Sequence, residues 1–124
     1  MRVPILKIGD VLIASIQGAL TDSDLEQLRD DLIDRVGRQR ARGVVLDVTV
    51  LDVVDSFATR MLRTIAQSAR LRGARTLIVG VQPDVAFAMV ELGLSFEDIE
   101  TSLDLEEGLA LLGVRPSVDG DDDR

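Results

Sequence analysis

The side chains with the clearest chemical potential are three aspartates and a serine within ten residues. Asp47 lies in an apolar segment, Asp52 follows it in the loop, and Asp55 directly precedes Ser56. Carboxylates at the carboxyl end of a parallel strand could bind a divalent metal ion for phosphate chemistry. The alternative is that Asp47 makes a structural hydrogen bond and the other two are loop residues. This alternative is favoured, because a receiver-type phosphoacceptor domain needs a lysine after a late strand and the only lysine is Lys7.

Ser56 stands where a loop is predicted to become a helix. A serine there is a natural N-cap, whose hydroxyl accepts a backbone N–H, and its loss would cost about 1 kcal/mol of stability. The same position suits a phosphate, because the free N–H groups and the dipole of a helix N-terminus favour negative charge. On the residues alone the capping role is favoured, and a regulated phosphorylation site is the alternative.

The amino-acid inventory excludes most other kinds of site. The 124 residues contain no Cys and no His, which rules out disulfides, Cys/His zinc sites and His-dependent nucleophilic catalysis. No G-x-G-x-x-G fingerprint and no P-loop is present, so no nucleotide cofactor is predicted. With no Trp or Tyr and a net charge of −8, the chain is not expected to bind nucleic acid. No apolar run approaches the ~18–20 residues that a membrane helix needs, so no membrane partner is predicted either.

Strands and helices are predicted to alternate around the aspartates and the serine. Two apolar segments separated by Gly9-Asp10 predict an N-terminal hairpin. The predicted strands are 3–8, 11–17, 44–49, 76–81 and a short strand at 96–99. The predicted helices are 21–40, 56–72, 84–92 and 103–112, the first with a capping box of Ser23 and Glu26. This order predicts an α/β fold with about four helices and a mostly parallel sheet, whose short N-terminal strand is antiparallel. Residues 1–114 would form one domain, and residues 115–124 an acidic, disordered tail.

The third predicted helix, residues 84–92, is apolar on every side between its two acidic residues. A surface helix normally shows one apolar stripe, and a domain of this size can hardly enclose a whole helix. We therefore predict a subunit interface through Phe87, Met89 and Val90. The alternative is a helix wedged against the C-terminal helix.

The segment from Val44 to Phe57 resembles the central motif of the STAS domain family, the anti-sigma factor antagonists. The apolar strand with its aspartate is Val44-Val45-Leu46-Asp47-Val48-Thr49, and the Asp-Ser loop before the helix is Val54-Asp55-Ser56-Phe57. Simple family members usually continue Asp-Ser-Ser-Gly, whereas here the run is Asp55-Ser56-Phe57-Ala58. Three further regions are similar to the RsbS-type stressosome branch: Pro4-Ile5-Leu6-Lys7 with Ser15-Ile16-Gln17, Gly80-Val81-Gln82-Pro83 with Glu91-Leu92-Gly93, and Glu100-Thr101 with Leu103-Asp104-Leu105-Glu106. The resemblance covers residues 3–113.

The resemblance implies a non-catalytic scaffold of the stressosome, a large cytoplasmic particle, with no cofactor and no metal. The implied partners are RsbR-type co-antagonists with sensor domains, an RsbT-type switch serine/threonine kinase and an RsbX-type phosphatase. The scaffold would hold the kinase and release it when phosphorylated on Ser56, in the bacterial general stress response, with Asp47, Asp52 and Asp55 as supporting loop residues. With this resemblance, phosphorylation becomes the favoured role of Ser56 over helix capping alone.

Three questions stay open beside this implication. The chain could be a simple anti-sigma factor antagonist, phosphorylated at the same serine. Thr21 lies in the region where co-antagonists carry a second acceptor, and it is left unassigned. The arginine row at positions 60, 63 and 70 is either part of the kinase-binding surface or a solvated helix face.

Overall fold

The computed structural model describes residues 3–18, 20–51, 54–93, 96 and 99–114. Within these residues one five-stranded sheet has the strand order β1-β2-β3-β4-β5. The strands are β1 (Ile5–Ile8), β2 (Val11–Ser15), β3 (Gly43–Asp47), β4 (Arg75–Val79) and β5 (Glu100–Ser102). The helices are α1 (Asp22–Gln39), α2 (Ser56–Leu71), α3 (Pro83–Glu91) and α4 (Leu105–Leu111). β1 pairs antiparallel with β2 and the other pairs are parallel, which confirms the predicted fold class.

The N-terminal hairpin turns in the two residues that the sequence indicates. Ile8 pairs with Val11, so Gly9 and Asp10 form the whole connection. Gly9 has a φ of 60°, the left-handed conformation that a two-residue hairpin turn requires and that glycine adopts without strain.

Alternate residues of the central strands supply a core on each face of the sheet. Val44, Leu46 and Ile78 belong to the larger core, together with the buried residues of α1 and α2. Val45, Leu77 and Val79 belong to the second core, with Leu109 of α4. Burial on both faces explains why these strands are continuously apolar rather than alternating.

Two local predictions about the ends of elements are wrong. The capping box of α1 consists of Thr21 and Asp24, not Ser23 and Glu26: the Thr21 hydroxyl accepts the Asp24 N–H at 3.0 Å, and the Asp24 carboxylate accepts the Thr21 N–H at 2.9 Å. Both pairs, Thr21 with Asp24 and Ser23 with Glu26, have a hydroxyl followed three residues later by a carboxylate. The earlier frame adds Asp22 to the first turn, where the helix dipole favours an acidic residue.

The short strand predicted at 96–99 lies instead at Glu100–Ser102, where it pairs with Leu77–Val79 of β4. Phe96 and Ile99 pack against the core but belong to no strand. β5 has no apolar pattern of its own, because it is an edge strand held by backbone pairing to β4. The predicted tail, 115–124, lies outside the described residues.

Candidate functional site

Asp47 ends β3, and its carboxylate is used within the turn that follows. Its Oδ1 accepts hydrogen bonds from the Thr49 N–H at 3.0 Å and from the Thr49 hydroxyl at 2.6 Å. The Asp47 carbonyl oxygen accepts the N–H of Ile16 at 2.9 Å. Asp47 therefore makes the structural hydrogen bond that the favoured interpretation of the aspartates predicts, and it directs the chain out of the sheet.

The loop after β4 holds the same turn from the neighbouring strand. Gln82 donates a hydrogen bond from its side-chain Nε2 to the Thr49 carbonyl oxygen at 2.5 Å. Gly80 has a φ of 81°, and a Cβ on it would lie 1.9 Å from the Thr49 hydroxyl oxygen. A glycine is therefore required at this position for two reasons, its left-handed backbone conformation and the close approach of the Thr49 side chain. The loops after β3 and β4 are thus tied together at one edge of the sheet.

Asp55, and not Ser56, is the N-cap of α2. Its backbone is extended, with φ −82° and ψ −179°, and its Oδ1 accepts the Ala58 N–H at 2.8 Å. The prediction that Ser56 caps the helix is therefore wrong by one residue. The register is set by burial, because the fully buried Thr59 donates its hydroxyl to the Asp55 carbonyl oxygen at 2.9 Å and so ties the first turn to Asp55.

Ser56 is consequently the first residue of α2, with an exposed side chain. Within the described part of the chain its hydroxyl makes no hydrogen bond. A serine that neither caps the helix nor packs in the core has a hydroxyl that is free to react with an approaching group.

The carboxylate cluster that a metal-dependent reaction would need is described only in part. Asp47 and Asp55 each use a carboxylate oxygen for a local hydrogen bond, and Asp52 lies outside the described residues. Among the residues that the structure describes, no three Asp, Glu, His or Cys side chains form a group that could hold a metal ion.

Ser56 begins a row of exposed polar residues along α2. The next members, Arg60, Arg63, Gln67 and Arg70, follow at spacings of four and three, which places them on one side of a helix. We call Arg60, Arg63 and Arg70 the basic stripe. No residue from 56 to 71 is acidic, and within the described ranges the three arginines form no ion pair. The hydroxyl of Ser56 therefore lies at the N-terminal end of a row of three arginines in an acidic protein, of which Arg70 also helps to lower the pKa of Glu100.

The apolar surface of α3 differs from the predicted interface in one residue. Phe87 and Val90 are 70% and 75% exposed, but Met89 is only 5% exposed and packs with Val54 and Val85. Met89 is therefore removed from the surface, because it lies one turn from Val85 on the inward side of the helix. Leu92, the C-cap residue just beyond α3, is also 70% exposed. We call Phe87 and Val90 the α3 patch.

The inward side of α3 packs near the start of α2 rather than on the C-terminal helix. The small core that holds Val85 and Met89 also contacts Ala58 of the first turn of α2. The core residues of α4 form a separate cluster with the opposite face of the sheet. The alternative prediction, a helix wedged against the C-terminal helix, is not the observed arrangement, and the α3 patch lies on the element adjoining the Ser56 turn.

A cleft of about 480 Å³ lies between the second half of α2 and the start of β4. At its mouth Arg75 donates two hydrogen bonds to Glu100, at 2.9 and 2.7 Å. This pairing lowers the pKa of the Glu100 carboxyl and raises that of the Arg75 guanidinium. Thr76 also lines the cleft, and its hydroxyl oxygen is buried without a hydrogen-bond partner among the residues that the structure describes. A polar atom in that condition destabilises the fold, which makes Thr76 a useful position for testing the packing.

Comparison with known proteins places this geometry in a recognised family. Residues 2–108 match the family model of the STAS domain. An RsbS of Moorella thermoacetica carrying a serine-to-glutamate substitution has a similar structure, with a TM-score of 0.78 and 35% identity over 90% of this chain and 94% of that one. A chain of the stressosome, described as a signal integration and transduction hub, has a TM-score of 0.77 and 35% identity over 89% of this chain and 96% of that one.

Curated relatives match at lower identity. The RsbT co-antagonist RsbRA of Bacillus subtilis is 24% identical over 100 residues, which are 81% of this chain and 36% of that protein. A candidate anti-sigma factor antagonist, BtrV of Bordetella bronchiseptica, is 31% identical over 85 residues, which are 68% of this chain and 72% of BtrV. The chain thus spans well under half the length of the co-antagonist relatives that it matches. None of the helices within the described ranges is both long and apolar enough to cross a membrane.

Proposed function

Because this chain belongs to the STAS domain family, we propose that it is a non-catalytic scaffold of a stressosome, which holds a switch serine/threonine kinase and releases it when phosphorylated on Ser56. The observation that carries the proposal is the state of Ser56. It is exposed, its hydroxyl makes no hydrogen bond to any described residue, and Asp55 caps the helix instead. Adding a phosphate there leaves the fold intact, because no buried contact and no cap is lost. The 35% identity to RsbS over most of both chains supports the scaffold branch of the family.

The proposed partners follow from the same relatives. The scaffold would assemble with RsbR-type co-antagonists into a large cytoplasmic particle that regulates the general stress response. An RsbT-type kinase would be the bound client, and an RsbX-type phosphatase would reset Ser56. Neither cofactor nor metal takes part in this role.

The α3 patch is the proposed contact between subunits. Phe87 and Val90 expose large apolar surfaces close to one another on one short helix, and removing such surface from water favours association. Changing both to serine should leave the monomer folded, since neither side chain is buried. The double variant should sediment as a smaller species when mixed with the co-antagonist. A particle of undiminished size would refute this interface.

The function is tested by phosphorylation with the cognate RsbT-type kinase and ATP, followed by peptide mapping. We expect one phosphate in the peptide containing Ser56 and none in Ser56→Ala, whereas Ser23→Ala, which removes another exposed helical serine, should be modified normally. Phosphate incorporation that persists undiminished in Ser56→Ala would contradict the site.

Kinase release is a separate readout of the same proposal. We expect Ser56→Ala to bind the kinase and retain it when ATP is added, while the parent chain releases it. Ser56→Asp should bind more weakly than either, because a carboxylate supplies part of the charge of a phosphate. Equal affinities of the three chains, before and after ATP, would show that charge at Ser56 does not control the complex.

A simple anti-sigma factor antagonist remains the second candidate, and the similarity to BtrV favours it. Phosphorylation of Ser56 belongs to both candidates, so particle size distinguishes them. Mixed with an RsbR-type co-antagonist, a scaffold should form megadalton particles in light scattering, whereas a simple antagonist should remain small.

A further inference from the structure

We propose that Arg60 is a positioning residue that receives the phosphate of phosphorylated Ser56 in an ion pair one turn along α2. This inference rests on the proposed phosphorylation and describes what the phosphate meets once it is attached. Its consequence is a switch within one helix, in which the first member of the basic stripe is neutralised.

The helical spacing brings the two side chains together. Residues four apart on a helix have Cβ atoms about 5–6 Å from one another. Side chains on a helix lean towards its N-terminus, so the side chain of Arg60 leaves the backbone in the direction of Ser56 and its guanidinium can reach a phosphate there. The other neighbour on that side, Thr59, is fully buried and already donates its hydroxyl to the Asp55 carbonyl oxygen, so it does not compete for the phosphate.

Arg60 has no competing partner to give up. Within the described residues it forms neither an ion pair nor a hydrogen bond, and α2 carries no acidic residue. Its neighbour along the stripe is Arg63, three residues away, and like charges at that spacing repel each other. A phosphate with a charge of about −1.5 to −2 would relieve this repulsion as well as pair with Arg60.

One of the backbone N–H groups near Ser56 is already occupied. The Asp55 carboxylate accepts the Ala58 N–H, and its negative charge repels a phosphate on the adjacent residue. Repulsion from Asp55 and attraction by Arg60 act in the same direction, towards the C-terminal end of the helix. An anion four residues before a cation is also the favourable order on a helix, and arginine pairs with phosphate through two parallel hydrogen bonds.

The experiment uses the full chain with phosphoserine installed at position 56 during synthesis, so that no kinase is needed. The second ionisation of the phosphate is followed by ³¹P NMR titration in the parent and in Arg60→Gln. We expect the ionisation constant to be roughly two- to fivefold larger in the parent, because the ion pair favours the dianion and a charge-assisted bidentate pair is about twice as strong as an ordinary helical pair. Arg60→Lys should recover part of the difference.

Arg63→Gln is the matched control. It removes the same charge from the same side of the helix but lies seven residues from Ser56, about 10 Å along the axis. The carboxylates at the neighbouring ends of β3, α2 and α3, which are Asp47, Asp55 and Asp84, are present in every variant, so differences between variants report the arginines. We expect Arg63→Gln to change the constant by less than a third as much as Arg60→Gln.

Two results would overturn the inference. One is an ionisation constant that is the same in the parent and in Arg60→Gln. The other is an equal change in Arg63→Gln, which would mean that the phosphate responds to the general field of the stripe and not to one residue. Because the phosphate is installed chemically, neither result depends on whether a kinase modifies Ser56; a failure of the kinase assay would refute the proposed function separately.

Discussion

Replacing Asp55 and Ser56 one at a time by alanine decides which of them stabilises the start of α2. The sequence favours Ser56 as the capping residue, while the structure assigns the cap to Asp55. The two accounts predict opposite orders of stability for the same pair of variants, so one experiment discriminates between them.

The expected magnitudes follow from the contacts of each side chain. Asp55→Ala removes the hydrogen bond to the Ala58 N–H at 2.8 Å, and loss of an N-cap costs about 1 kcal/mol, within a range of roughly 0.5–2. Ser56→Ala removes an exposed hydroxyl with no hydrogen bond inside the described chain, so the change should stay within about 0.5 kcal/mol. For a domain of this size a loss of 1 kcal/mol lowers Tm by about 3–5 °C.

Urea denaturation followed by circular dichroism, with calorimetry for Tm, measures both variants against the parent. Asp55→Asn is the matched control, because asparagine caps as well as aspartate while carrying no charge. It should unfold close to the parent. If Ser56→Ala lost about 1 kcal/mol and Asp55→Ala lost nothing, the assignment of the cap would be wrong. If Asp55→Asn were as unstable as Asp55→Ala, charge and not the hydrogen bond would be the stabilising factor.

Three further changes test the remaining structure. Gly80→Ala should lower the unfolding free energy by about 2 kcal/mol or more, since it adds a clash to a left-handed backbone. Gly9→Ala, with φ 60° and no atom within 4 Å of the added Cβ, should lower it by about 1 kcal/mol. Equal losses in the two variants would mean that the clash at Gly80 is absent. Thr76→Val should raise the unfolding free energy by about 1–2 kcal/mol, because it removes a buried hydroxyl that has no hydrogen-bond partner in the described part of the chain. A lower unfolding free energy on urea denaturation would show that the hydroxyl is satisfied. The pKa of Glu100 lies below its ordinary value of 4.5, so its stabilisation is present above that pH and is lost as the pH falls through the lowered pKa; Arg75→Gln should make the decline in Tm between pH 5 and pH 3 shallower, and an unchanged decline would contradict the pairing.

The order of elements was predictable because it depends on local patterns. Continuous apolar runs separated by helical periodicity predict an α/β chain, and Gly9-Asp10 predicts the hairpin turn. The predicted helix caps of α1 and α2 were wrong because two neighbouring residues each fit the capping pattern. Asp55 and Ser56 are both good capping residues, and both Thr21 and Ser23 begin a capping-box spacing, so neighbouring frames of the sequence were almost equal in energy.

The sequence alone determined which chemistries this protein lacks the side chains for, the alternation of its strands and helices, and the Asp-Ser segment that identifies its family. Those properties depend on residue identity and short spacings. Tertiary structure decided which of two adjacent residues caps α2 and which residues of α3 face outwards. It also decided that position 80 must be a glycine, because the Thr49 hydroxyl lies too close for a side chain there. Burying Thr59 and Met89 selects one helical register from several that are locally equivalent. The exposed and uncommitted state of Ser56 is a consequence of that packing.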